Sequence, residues 1–291
     1  MTNNIQYVPK KIWFLWLQGL DNAPLIVQKC LISWKTNNPD WQINFLDENN
    51  LSDYLDFDLL DGKLTRLEKA QFSDLIRLKL LRKYGGVWVD STCFCMRPLS
   101  EWLDDYLTSG FFAFCDPGPD RLMSNWFLAA TPNHPLITKL YDRLFNYFTT
   151  NEYRNVNKTR YMRVLKKILS RNTKVTKYWF HPFFTKVLKL YPYYVFHYIF
   201  TELVSNDPEC KSLWQQTPKL KANNAHKILK IMHQPLSPEI KRDIDCQAEF
   251  LYKLNWKIYQ SQSVRDNSII HYLFNSMSSP VERNLYEETA N

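Results

Sequence analysis

The stretch Leu75 to Met96, LIRLKLLRKYGGVWVDSTCFCM, constrains the fold more than any other part of the chain. Leucine or isoleucine stands at 75, 76, 78, 80 and 81. A helix so apolar all round belongs in an interior, not on a surface. Gly85 and Gly86 follow Tyr84; one of them can take the left-handed conformation that ends a helix, and the pair permits a sharp turn. Val87, Trp88 and Val89 have high strand propensity. Asp90 ends that strand, and two hydroxyls, Ser91 and Thr92, follow it. A carboxylate at the end of a buried strand has to be hydrogen-bonded, ion-paired or bound to a metal. In α/β sheets the carboxyl end of a strand is also where ligands bind.

The flanking chain reads as further sheet and helix. Pro9 to Gly19 is strand-like, after a frayed leader over 1–7. From spacing alone, Trp13 and Trp16 both read as core residues. Asp21 to Pro24 predicts a helix start with a side-chain cap and a proline in the first turn, and that helix ends by Asn38-Pro39. Trp41 to Leu46 alternates as a second strand, with Asp47 and Glu48 at its end. Residues 49–63 are acidic and loop-rich, and the long apolar helix is expected from near Leu64. Asp74 and Arg77 lie three apart and share a helix face. They form either an ion pair on a solvated face or a charged pair facing a polar cleft; the apolar flanks favour the cleft. Gly110 to Cys115 is another apolar strand, with a turn cluster at Asp116-Pro-Gly-Pro119. His134, between two prolines, reads as a helix-entry contact, and His197 as a core histidine.

At 291 residues one large domain is expected, and an apolar share of 45% is enough for a full core. Only six residues are glycine, and neither a Walker A motif nor GxGxxG is present. The net charge of +8 favours an anionic partner. From Arg154 to Lys189 there are eleven Lys or Arg and no acid, with aromatic residues interleaved as in Tyr178-Trp-Phe-His-Pro-Phe-Phe184. This segment suits an anionic membrane interface or a polyprenyl-pyrophosphate acceptor; the plainer reading is a basic solvated helix beside an aromatic core. Six cysteines without a CxxC pair point to reduced thiols in a cytoplasmic protein. Cys93-x-Cys95 admits a metal pair or, more plainly, two thiols on one strand. Neither a signal peptide nor a stretch of about 20 apolar residues is visible.

The block KAQFSDLIRLKLLRKYGGVWVDST resembles the core motif of GT-A glycosyltransferases of the family 32 type, in particular the bacterial capsular-polysaccharide-synthesis branch. In that pattern a helix carrying Ser-Asp-x-x-Arg runs into Tyr-Gly-Gly, and a strand then delivers a DXD motif or a shortened form of it. The resemblance extends from near residue 8 to near residue 260. It implies a GT-A fold, Rossmann-like, with a nucleotide-sugar-binding half over 1–135, a helical acceptor half over 136–262 and a polar tail over 263–291. It also implies roles for single residues. Trp16 would stack on the nucleotide base. Ser73 would cap or contact the nucleotide; Asp74 and Arg77 would hold the donor sugar, as the corresponding pair does in toxin glucosyltransferases of similar fold.

Asp90 and Thr92 would hold Mn2+ or Mg2+, although Thr92 stands where the pattern has its third-position aspartate. The segments Ser124-Asn-Trp-Phe-Leu-Ala-Ala130 and Pro132-Asn-His-Pro135 resemble the family's lining of the reaction centre, which makes Asn125 a catalytic candidate beside Asp90 and Arg77. Phe250-Leu-Tyr-Lys-Leu-Asn-Trp-Lys257 resembles the closing motif and offers Lys253 and Lys257 to a diphosphate. Tyr252 there replaces a histidine that would be a metal or pyrophosphate contact, and His226-Lys227 is an alternative source of that contact. The implied activity is retaining transfer of a hexose or N-acetylhexosamine from a UDP-sugar to a lipid-linked capsular or other surface glycan. From the cysteines and the basic segment, the expected place is the cytoplasm, peripheral on the inner membrane face. The competing readings are a degenerate member that binds donor without turnover, a toxin-like transferase, and a basic nucleic-acid-binding protein. The last leaves Asp74, Arg77 and Asp90 unexplained and has no recognised motif.

Overall fold

The computed structural model describes residues 7–55, 67–151 and 160–276. Its strands are β1 (Lys11–Leu15), β2 (Gln42–Leu46), β3 (Gly86–Asp90), β4 (Cys93–Cys95), β5 (Phe111–Gly118), β6 (Arg121–Ala130) and β7 (Leu251–Lys253). The first helices are α1 (Leu25–Asn37), α2 (Lys69–Tyr84), α3 (Pro135–Thr150), α4 (Arg160–Leu169) and α5 (Val195–Asn206). The later ones are α6 (Pro208–Gln216), α7 (Ala222–Ala225), α8 (Pro238–Asp245), α9 (Trp256–Gln260) and α10 (Ile269–Ser276). A five-stranded sheet runs β2-β1-β3-β6-β5; β1 is parallel to β2 and β3, and β6 is antiparallel to β3 and β5. β4 and β7 form a separate antiparallel pair. The fold is thus mixed α/β around a central sheet, followed by a largely helical second half.

Side chains alternate along each strand, and that alternation divides the interior in two. Ile12, Phe14, Val87 and Val89 face a core shared with α1, α8 and α10. Trp13, Leu15 and Trp88 face the opposite core, shared with α2, α3 and α5. Leu75, Ile76, Leu78, Leu80 and Leu81 of α2 are all buried there, as the run of leucines requires. By the same parity, Asp90 follows Trp88 onto the α2 side of the sheet.

Several elements differ from the sequence reading. α2 starts at Lys69, where Gln71 Oε1 accepts the Glu68 N–H at 3.2 Å; the expected start near Leu64 lies outside the described residues. α1 has Pro24 at its cap position and no side-chain cap bond from the Asp21 turn. β5 runs on to Gly118 through register irregularities, so the reversal falls after the expected proline cluster begins. The stretch after 262 is not simply a polar tail: α10 buries Ile269, Ile270, Leu273 and Phe274 against the same core as α1. The first core therefore draws on both the N-terminal strands and residues 222–274.

Gly85 and Gly86 have φ of +63° and +96°. A Cβ on Gly86 would meet Lys11 O at 2.5 Å, because β3 runs hard against β1 there. Gly19 also has positive φ, but its nearest atom would be 3.7 Å away. Gly86→Ala is expected to lower unfolding free energy by about 2–4 kcal/mol, from left-handed strain plus a forced backbone shift. Gly19→Ala carries the strain alone and should lose about 1 kcal/mol. Urea unfolding of the two variants checks the ordering.

Candidate active site

α2, the end of β3 and the end of β7 bring four charged side chains together. On one turn of α2, Arg77 reaches Asp74 through Nη1 and donates from Nη2 to Ser73 Oγ at 3.2 Å. The same Nη2 donates to Asp90 Oδ1 at 3.2 Å, joining helix to strand. Trp88 Nε1, two residues back on the same strand face, donates to that oxygen at 3.1 Å. The Arg77 guanidinium also lies 5.0 Å above the Trp88 ring and 5.8 Å from that of Phe196. Asn125 Nδ2 of β6 donates to Asp74 Oδ1 at 2.8 Å. Lys253, at the end of β7, places Nζ 2.6 Å from Thr92 Oγ1 and 3.4 Å from Asp90 Oδ2. The contacts form one unbroken line: Thr92, Lys253, Asp90, Arg77, Asp74, Asn125.

This line forms part of the wall of a cleft of about 630 Å³, within the roughly 300–1,000 Å³ range of small-molecule sites. Trp16, Ser73 and Lys257 line it too, so all nine residues singled out in the sequence border one cavity. Trp13, in contrast, is buried and donates Nε1 to Gly85 O at 2.8 Å. Trp16 stands edge-on to Trp256, with ring centroids 6.1 Å apart. The cleft also gains Trp88, Trp256, Tyr193, Tyr194 and His197, which the sequence reading had not assigned to it. Trp256 was visible inside the closing motif, where the lysines drew attention instead. His197 is buried, but it is not a satisfied core residue: its Nδ1 has no partner among the described residues.

Other residues lie elsewhere. Tyr252, which stands in place of the expected histidine, is fully buried in the first core and does not line the cleft. His226 packs against Trp126, and Lys227 pairs with Asp243 and Glu239, away from the cleft. Asp47 Oδ1 accepts the N–H groups of Asn49 and Asn50, closing a turn. His134 is buried at the entry to α3, its Nε2 2.9 Å from Ser109 O. Cys93 and Cys95 are buried thiols; burial pushes Cys93 up to about 12.

The electrostatics split the two carboxylates. Burial pushes Asp74 up to about 6, against the pull of Arg77 and Asn125. Burial also opposes ionisation of Asp90, but Lys253 and Arg77 outweigh it and hold the carboxyl below the usual carboxylate range. Burial, with Arg121 and Arg77 nearby, pushes His197 well below the ordinary imidazole range, so it is neutral. The expected metal ligands do not fit a divalent cation. Asp90 Oδ1 is taken by Trp88 and Arg77, Asp90 Oδ2 faces Lys253, and the Thr92 hydroxyl accepts from Lys253. Among the described residues, no three His, Cys, Asp or Glu side chains converge as a metal cluster.

A family model described as capsular polysaccharide synthesis protein matches residues 1–159 and 152–273. The chain belongs to that family. This member of the capsular polysaccharide synthesis family is 31% identical over 153 residues to the O-glycosyltransferase braB of Annulohypoxylon truncatum, a match covering 45% of the chain and 35% of that relative. It is 26% identical over 179 residues to an uncharacterized glycosyltransferase of Acanthamoeba polyphaga mimivirus, covering 57% and 66%. The chain thus spans only a third to two thirds of these relatives, which come from a fungus and a virus rather than from the bacterial branch its motif resembles. Among solved structures, it is similar to the PaToxG glycosyltransferase, with a TM-score of 0.41 and 18% identity over 72% of this chain and 76% of that one. It is also similar to the UDP-bound glycosyltransferase domain of the YGT toxin, with a TM-score of 0.41 and 11% identity over 96% and 99%.

Because the folded pKa of Asp74 is raised, the folded state holds this proton more tightly than the unfolded chain. The resulting stability is fully present below about pH 4 and is lost as pH rises through about 6. Asp74→Asn removes this dependence. The stability of the wild type relative to the variant should fall by up to about 3 kcal/mol between pH 4 and pH 7, measured by urea unfolding at both values.

Proposed function

We propose that the chain is a glycosyltransferase that moves a hexose or N-acetylhexosamine from a UDP-sugar to a lipid-linked surface glycan. The observation that carries this reading is the line of charges from Lys253 to Asp74 in the cleft of a capsular polysaccharide synthesis family member. An indole such as Trp16 stacks on any base for about 1–3 kcal/mol, and here it stands at the cleft beside Trp256. Lys253 and Lys257 supply charge to the diphosphate. Arg77, Asp74 and Asn125 offer donors and acceptors to sugar hydroxyls.

Asp74 and Asp90 are each tied to cations and amide or indole donors, which leaves neither as a free nucleophile. That favours front-face transfer with retention. The anomeric C–O bond breaks, and its electron pair leaves on the diphosphate. The acceptor hydroxyl forms the new C–O bond from the same face, and its proton passes to the departing phosphate oxygen. The nucleotide-sugar half is assigned to 1–135 and the acceptor half to 136–262.

On the acceptor side, Tyr161, Val164 and Ile168 form an exposed apolar stripe on α4, flanked by Arg163 and Lys167. Lys166 of the same helix lies 5.9 Å from the ring of Tyr193, a cleft residue. No helix among the described residues is long and apolar enough to cross a membrane. Peripheral attachment to an anionic leaflet on the cytoplasmic side fits this surface. The plainer reading as a solvated basic helix leaves the aliphatic stripe unexplained.

Three measurements test the proposal. UDP should bind the wild type by calorimetry. Asp90→Ala should abolish turnover of the accepted UDP-sugar with the fold intact, and Trp16→Ala should weaken UDP about 5- to 150-fold. Full activity in the Asp90 variant overturns the assignment; binding without hydrolysis or transfer identifies a degenerate member. The protein should also sediment with vesicles containing phosphatidylglycerol but not with phosphatidylcholine alone. Val164→Glu with Ile168→Glu should reduce this at least about tenfold.

A further inference from the structure

Lys253 occupies the ground that the motif assigns to a metal. Its Nζ lies 2.6 Å from Thr92 Oγ1 and 3.4 Å from Asp90 Oδ2, the two groups expected to ligate Mn2+ or Mg2+. We infer that Lys253 is the resident cation of this cleft and that it takes up the charge of a nucleoside diphosphate without a divalent metal. The inference rests on the nucleotide-sugar reading above.

Three observations carry it. The first is the rigidity of the lysine's base. β7 pairs with β4 in a register that sets Lys253 opposite Cys93, and the Leu254 N–H donates to Thr92 O at 2.7 Å. Tyr252 and Leu254 on either side are buried, and the Lys253 side chain is 17% exposed. The ammonium is therefore held by two strands rather than carried on an open loop.

The second is the donor set. A Mg2+-like ion is commonly held by one or two carboxylates, with water and substrate phosphates completing its shell. Here the strand-end carboxylate is Asp90, and Lys253 is already bound to its Oδ2 and to the Thr92 hydroxyl. An ion could enter only by displacing an ammonium of the same sign, beside the Arg77 guanidinium.

The third is the charge balance. Asp74 and Asp90 face Arg77 and Lys253, two against two. An ammonium has three N–H donors. Two are accounted for by Thr92 and Asp90, which leaves one for a phosphate oxygen. Threonine in the third motif position then has a physical reason: a hydroxyl accepts from the lysine and adds no negative charge for a metal to answer.

The test measures UDP binding to the full chain by calorimetry, in excess EDTA and with added Mn2+. Manganese binding without nucleotide is followed separately by electron paramagnetic resonance. The expected results are UDP affinity equal in both conditions within about twofold and no bound manganese. Lys253→Ala should weaken UDP by at least about tenfold, the loss of one charge-assisted contact, and Lys253→Arg should keep most of the affinity. Lys253→Asp should make binding depend on manganese, because it places a second carboxylate beside Asp90 and Thr92. UDP binding that vanishes in EDTA and returns with manganese overturns the inference but leaves the nucleotide reading standing. So does tight manganese binding to the wild type that is lost in Asp90→Ala, a result that does not depend on any Lys253 variant folding. Absence of UDP binding in both conditions overturns the nucleotide reading, and this inference with it.

Discussion

Arg77 is the side chain on which the site depends. It leaves a helix whose neighbouring faces are leucine, and it ends among Asp74, Ser73 and Asp90, with aromatic rings of Trp88 and Phe196 beside it. A guanidinium that is only 5% exposed is tolerable because its charge is answered on two sides and its plane is covered by rings. The same contacts tie α2 to the end of β3. Removing either acid would leave the guanidinium answered on one side only. The arrangement that holds the sheet to its helix is therefore the one that presents the polar groups to the cleft.

Much of this geometry was legible in the sequence, for local reasons. The Gly85-Gly86 reversal, the strand after it and Asp90 at its end depend on residues within one short segment. Asp74 and Arg77 sit three apart on one helix, so their meeting needed no tertiary information. Trp13 and Trp16 were inseparable by spacing alone. The resemblance favoured Trp16, and the structure puts Trp13 in the core and Trp16 at the cleft.

What stayed hidden depends on distant pairing. Lys253 and Thr92 are 161 residues apart, and they meet only because β7 adds to β4. Asn125 faces Asp74 because of a local irregularity. Trp126 and Phe127, adjacent in sequence, both belong to the first core, whereas Met123 belongs to the second. The register shift between β5 and β6 breaks the strict alternation and turns Asn125 toward α2. No pattern of period two could have shown that. α10 was missed for a related reason: its short apolar run lies between polar segments, and it becomes core only because the first face of the sheet is open to it.

Charge is distributed unevenly across the molecule, and this separates attraction from recognition. The chain carries +8 overall, with basic residues dense between 160 and 189. The cleft itself holds two acids against two cations at its centre. The field of such a basic segment reaches outward but weakens with salt over a Debye length of about 8–10 Å. Inside the cleft the donors are fixed at short range: the ammonium held by Thr92, the guanidinium held by Asp74 and Asp90, the amide of Asn125. His197 preserves that balance by staying neutral between Arg121 and Arg77. A charged imidazole there would add a third cation to the cleft wall, beside the Arg121 and Arg77 charges that already oppose it.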